Sequence, residues 1–181
     1  MARMSLLDFL GLGGGADPHA GEIEGVRTIV QTLGSMEPDQ ARHLAAFAYI
    51  LSRIAHVDQN ASQHETAAIE RVIANEGLLP AEQARLVVEI AKAQSVLFGG
   101  VEDFLVTREF SRRASHEQKL ALLHCLFEVS AADEHIAAIE DNEIRRISRE
   151  LRIEHADFVA VRSAHRQHLG VLKPDDPDEH S

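Results

Sequence analysis

The stretch "LAAFAYILSRIAHVDQNASQHETAAIERV", Leu44 to Val72, decides the fold, because it occurs twice. Its partner is "KLALLHCLFEVSAADEHIAAIEDNEIRRI", Lys119 to Ile147, reached by sliding the chain 75 residues along itself without a gap. Ala46 then meets Ala121, Leu51 meets Leu126, Asp58 meets Asp133 and Glu65 meets Glu140. Ile69 and Arg71 fall on Ile144 and Arg146. Self-similarity at a fixed period marks a duplicated structural unit. Each copy reads as an apolar helix, an acidic loop and an amphipathic helix, followed by a short turn into another helix. The expectation is an all-α single helical bundle of about seven to eight helices with an internal pseudo-two-fold. Helices 38–57 and 116–131 lie at its centre, because they are apolar almost all round.

Working outward, helical periodicity predicts further elements at 21–34, 63–76, 80–97, 101–113, 139–151 and 154–169. Pro38 suits a first helical position, Gly77 a helix stop, and Ser115 with Gln118 a capping box. Phe104, Leu105 and Phe110 are expected to face inward. No run of β-branched or aromatic residues alternates with polar ones, so no sheet is expected. The domain boundaries follow: a flexible leader at 1–20, a helical domain at 21–170 with repeat units of about 45–93 and 120–168, and a disordered acidic tail at 171–181. Within the leader, residues 4–12 suit a short amphipathic helix.

The formal charge is −11, with 29 acidic against 18 basic residues. That excludes the basic face nucleic-acid binding needs and disfavours attraction to anionic lipid. A basic protein or a cation is the natural partner. No stretch reaches membrane-spanning length, and any membrane contact is expected to be indirect or through the leader. The single cysteine, Cys125, lies in an apolar helical run and reads as a buried small side chain. The expected location is the cytoplasm, or the periphery of the inner membrane through a partner.

The spacing of Asp58, Asn60 and Ser62, with Glu65 behind, suggests a calcium loop. It fails as one. An EF-hand needs Gly at position 6 and Glu at position 12, whereas these are Gln63 and Ile69 in the first copy and Ala138 and Ile144 in the second. Capping explains more. Ser62 and Glu65 have S-x-x-E spacing, while Ala137 replaces the serine in the second copy, so that box closes from one side. A divalent cation (calcium, magnesium or manganese) on Asp58, Glu65, Asp133 and Glu140 remains the metal reading. No H-E-x-x-H and no E-x-x-H occurs, so no catalytic or di-iron constellation is assembled. His165 and His168, at i, i+3, read as a surface pair.

The doubled pattern, an apolar helix followed by Asp, a Glu seven positions later and I-x-R-(V/I), resembles the tellurite-resistance TerB family. The second copy, "LALLHCLFEVSAADEHIAAIEDNEIRRISRELRIEHADF", is the closer match, and the likeness spans about residues 40–168. It implies a helical bundle without a catalytic centre or required cofactor, acting as an accessory protein in bacterial stress or envelope systems. A related helical module occurs in a membrane-anchored co-chaperone. The family's acidic residues fall on Asp58, Glu65, Asp133 and Glu140. The chain departs from the family after each Asp, with Gln59-Asn60 and Glu134-His135 where Gly and another acid are usual. The resulting expectation is a protein partner, and a homodimer through an exposed apolar stripe.

Overall fold

A computed structural model describes residues 24–55, 63–98, 103–132 and 136–169. The helices are α1 (Glu24–Ser35), α2 (Pro38–Ser52), α3 (Gln63–Glu76), α4 (Ala81–Lys92), the single turn α5 (Gln94–Leu97), α6 (Asp103–Arg113), α7 (His116–Ala131), α8 (Ala138–Glu150) and α9 (His155–Ala164). A 3-10 turn follows at Arg166–His168. Among the described residues there is no strand, and the one β-type contact is an isolated bridge between Ile136 and Leu169. The all-α reading holds, with the long helices in one packed body. The leader and the tail lie outside the described residues.

Helix α2 starts where Pro38 fixes φ, and the Glu37 carboxylate accepts from the Asp39 amide at 2.8 Å. Helix α7 starts at the expected box: the Gln118 amide donates to Ser115 Oγ at 3.1 Å, and the Ser115 amide to Gln118 Oε1 at 2.8 Å. Such a cap contributes about 1 kcal/mol. From these starts the two apolar helices run through the core. Phe47, Ile50 and Leu51 of α2, and Leu122, Leu123, Leu126 and Phe127 of α7, are fully buried, each worth roughly 1.5–3 kcal/mol of apolar transfer. Cys125 is buried among them, as expected.

In the first unit α2 and α3 both pack on α4, and α1 lies on α2 and α4. In the second unit α8 and α9 pack on α7. Between the units, α6 lies on α2 and α7 on α3. The start of α3 precedes that of α8 by the repeat interval, and both helices stop in a left-handed residue, Leu78 at φ 55 and Arg152 at φ 57. Gly77 leads into the first of these stops. A Cβ there would stand 2.4 Å from the Ile73 carbonyl, so the path by which the chain leaves α3 requires its absence.

Several boundaries and faces differ from the periodic reading. Helix α2 ends at Ser52, not 57. Its last amides, those of Arg53 and Ile54, bond three residues back to Ile50 and Leu51, tightening the chain as the Arg53 side chain turns inward. The 80–97 helix divides at Ala93. The 154–169 helix ends at Ala164 and tightens into the 3-10 turn. Phe104 is half exposed rather than inward, with the Arg108 guanidinium 5.5 Å from its ring centroid. Val106 and Phe110 hold the buried face instead.

Candidate functional site

Asp58, Asp133 and the expected cap Ser62 lie outside the described residues. Their anchors are described. Just before the first loop, the Arg53 side chain is 5% exposed and sits at a meeting of helices. Its Nε donates to Glu143 Oε1 at 3.0 Å, and one terminal nitrogen donates to Glu150 Oε2 at 2.7 Å and to Thr107 Oγ1 at 3.0 Å. Asp103 closes the ring: it stands 3.7 Å from Arg53 Nε and accepts the Tyr49 hydroxyl at 2.6 Å. Burial works against the charged guanidinium. The hydrogen bonds to Glu150 and Glu143 outweigh it and hold the group more firmly protonated than usual. The same cluster raises the Tyr49 phenol, first through burial and then through the Asp103 bond. The end of α2 is thereby tied to α6 and α8 at the root of the first loop.

The second loop is pinned on its far side. The Ile136 amide donates to the His168 carbonyl at 2.6 Å. Glu140, a predicted metal ligand, accepts from the Ala137 amide at 2.8 Å through one oxygen, the half of the capping box that alanine permits. Its neighbour Asp141 is 4% exposed and takes a bidentate pair of bonds from Arg162, both at 2.8 Å, joining α8 to α9. Fork-on-fork pairing of this kind fixes direction as well as distance. Glu65 lies exposed in the first turn of α3. Among the described residues no group of three or more His, Cys, Asp and Glu side chains comes together as a metal site. Glu65 and Glu140 are therefore not joined in such a cluster there.

The histidine pair also differs from expectation. His165 is buried, 5% exposed, and stacks on Phe127 with centroids 5.4 Å apart and planes 10° apart. The helix has ended before it, so His168 enters the 3-10 turn rather than the same helical face. His165 Nδ1 lies 3.5 Å from Glu128 Oε1, and its Nε2 is buried with no hydrogen-bond partner among the described residues. Cys125 is buried, and burial, then Glu76 and Glu128, push its thiol well above the ordinary range, which disfavours the thiolate.

The buried ionic groups passed unnoticed in the sequence. Arg53 was legible only as an anomaly, a charge inside an otherwise apolar run. Its acidic partners lie 90 and 97 positions away, with no local signal.

These side chains place charge at the joints between helices. No helix of the described residues is long and apolar enough to cross a membrane. No curated protein and no solved structure matches significantly. The family model described as "Tellurite resistance protein TerB" matches residues 43–163, from within α2 through most of α9, and includes both acidic stretches. By that match over most of its length, the chain belongs to the TerB family.

Proposed function

We propose that the protein is a non-enzymatic accessory protein that works by binding another protein, in a bacterial stress response of the tellurite-resistance type or an envelope-associated system. The observation that carries this reading is how the charge is used. The buried ionic side chains, Arg53 and Asp141, are paired to partners within the fold, while the chain as a whole carries a formal charge of −11. Chemistry at a site would need an ionisable group held poised and accessible. A net negative charge suits the steering and selection of a basic partner. A cytoplasmic protein, peripheral at the inner membrane through that partner, fits the same picture.

The test is affinity capture from the native cell at low and at high salt, beside a surface-neutralised variant. One defined protein, held by the native chain and released by salt or by neutralisation, supports the reading. A capture profile identical to that of an unrelated acidic protein overturns it.

A divalent cation at the acidic loops is the second reading. It is favoured by one detail: Glu140 uses Oε2 for the Ala137 amide, and a carboxylate keeps a second oxygen for a hard cation. Calorimetry with calcium, magnesium, manganese and zinc, repeated on Asp133→Asn with Glu140→Gln, decides it. Heat that is absent, or unchanged in the double variant, removes it.

A further inference from the structure

A cleft of about 140 Å³ opens between the end of α8 and the start of α9, lined by Arg145, Ser148, Arg149, Ile153, His155 and Phe158. In a chain of net charge −11, three of its six lining residues are basic. They are also lightly committed. Arg149 and His155 form no ion pair among the described residues. Arg145 lies over the Phe158 ring at 5.5 Å and reaches Asp141 only at 3.8 Å. The Asp141 carboxylate is already taken in bidentate fashion by Arg162. Arg145 Nε is buried without a hydrogen-bond partner among the described residues, a donor whose desolvation no protein acceptor offsets.

The backbone around the cleft points the same way. Helix α9 opens without a side-chain cap, as Glu154 makes no capping hydrogen bond, so the positive end of the helix dipole stands beside His155. The carbonyls that end α8 are occupied. Those of Ile147, Ser148 and Arg149 accept from Leu151, Ile153 and Arg152, and that of Leu151 accepts from Ser111 Oγ. The nearby acids are Glu154, exposed at the N-cap, and Asp157, which lies 3.3 Å from His116.

The cleft is not a by-product of the repeat. At the interval of 75 residues its six positions in the first unit are Glu70, Ile73, Ala74, Leu78, Pro80 and Gln83. An acid stands for Arg145, and nothing basic replaces Arg149 or His155. One half of the duplicated scaffold has acquired a feature the other lacks.

We propose that this cleft binds a phosphate-type oxyanion, with Arg145 and Arg149 as its principal donors, His155 and the α9 amides completing the cradle, and Phe158 holding the Arg145 plane. Two guanidinium groups, an uncapped helix start and a small volume suit one multivalent tetrahedral anion.

The test titrates inorganic phosphate into the full chain at low ionic strength near neutral pH, following the arginine Nε–H resonances by NMR. A parallel chloride titration at matched ionic strength accounts for screening. The expected result is saturable phosphate binding that shifts the Arg145 and Arg149 signals. Arg149→Gln, at an exposed position, and Arg145→Gln should each weaken it about tenfold, with folding confirmed by circular dichroism. Arg71→Gln removes the same charge from α3 and should leave it unchanged. A second chain, with Asp175→Asn, Asp176→Asn, Asp178→Asn and Glu179→Gln, removes the C-terminal carboxylates as competitors. Binding seen only there supports the site and identifies those carboxylates as its rival ligand. No saturable binding in either chain overturns the proposal, as does an equal loss in Arg71→Gln.

Discussion

Arg53, at the end of α2, donates to Glu150 near the end of α8 at 2.7 Å, a bond between residues 97 positions apart. Among the described residues it is the most deeply set of the ionic contacts that join the two units, with side-chain exposures of 5% and 10%. Removing one member of such a pair leaves the other charge desolvated, at a cost of about 3–5 kcal/mol. Arg53→Met should therefore lower the stability of the protein by ~3 kcal/mol or more in urea denaturation, because it leaves Glu150 and Glu143 only the exposed Arg146, 3.2 and 3.8 Å away, in place of a buried cation. Glu150→Gln should cost less, since Arg53 keeps Glu143, and Glu143→Gln least, since Glu143 is the more exposed carboxylate. An Arg53→Met variant as stable as the native chain would show that the pair holds geometry without holding the fold.

The two left-handed residues make an opposite prediction. Leu78 and Arg152 both hold positive φ without being glycine, and an L-residue is strained there by roughly 1–2 kcal/mol. Leu78 is 55% exposed, so little packing is lost on replacing it. Leu78→Gly and Arg152→Gly should each stabilise the protein, by ~0.5–1 kcal/mol after the added freedom of the unfolded chain is subtracted. Gly77→Ala, one residue earlier, should destabilise it, because its Cβ would press on the Ile73 carbonyl. Thermal denaturation of the three variants side by side checks both signs. Loss of stability in Leu78→Gly would mean that the leucine makes contacts outside the described residues.

Acid should weaken the fold through His165. Burial lowers its pKa below 6.5, Glu128 and Glu76 pull less strongly the other way, and His124 and His168 add to the lowering. His43, stacked 5.0 Å from Phe110, is lowered by burial too. As pH falls through 6.5 the unfolded chain takes up protons that the folded chain refuses. The unfolded state is then favoured, and stability drops until the folded rings protonate as well. His165→Phe keeps a ring against Phe127 and removes the titration. Its stability should fall less steeply between about pH 7.5 and pH 5.5 than that of the native chain, measured by urea denaturation at each pH. An unchanged slope would assign the acid sensitivity to other groups.

The legibility of the sequence divided along physical lines. Hydrophobic period and caps are local, so the helices, the Pro38 and Ser115 starts and the burial of Cys125 could be read directly. The doubling of the pattern placed α2 and α7 at the centre. What escaped was long-range or depended on where a helix stopped. A helix continued to 169 makes His165 and His168 neighbours on one face, and its end at Ala164 separates them. Glu143 and Glu150 look like the solvated face of an amphipathic helix until Arg53 arrives from α2. Arg145 and Arg149 read as the same solvated face, and the cleft beside them exists through the turn at Arg152. The metal reading rests on spacing, which shows that a carboxylate is available and not what engages it; one oxygen of Glu140 takes the Ala137 amide.

Asp141 and Arg162 offer the cleanest measure of how firmly the second acidic loop is held. Two bonds of 2.8 Å join them, Asp141 is nearly buried, and the Asp141 bond raises the Arg162 pKa. Asp141 lies in the first turn of α8 and Arg162 in the last turn of α9. A double-mutant cycle with Asp141→Ala and Arg162→Ala should return a coupling of ~1–3 kcal/mol. Asp141→Ala should be the gentler of the two single changes, since Arg162 is more exposed and regains water, whereas Arg162→Ala strands a buried carboxylate beside Arg145 alone. Hydrogen exchange at the Ala137 and Ile136 amides should rise in Arg162→Ala, as the start of α8 loses its brace to α9. A coupling near zero, with exchange at those amides unchanged, would mean that the backbone bond from Ile136 to His168 holds the loop without help from the ion pair.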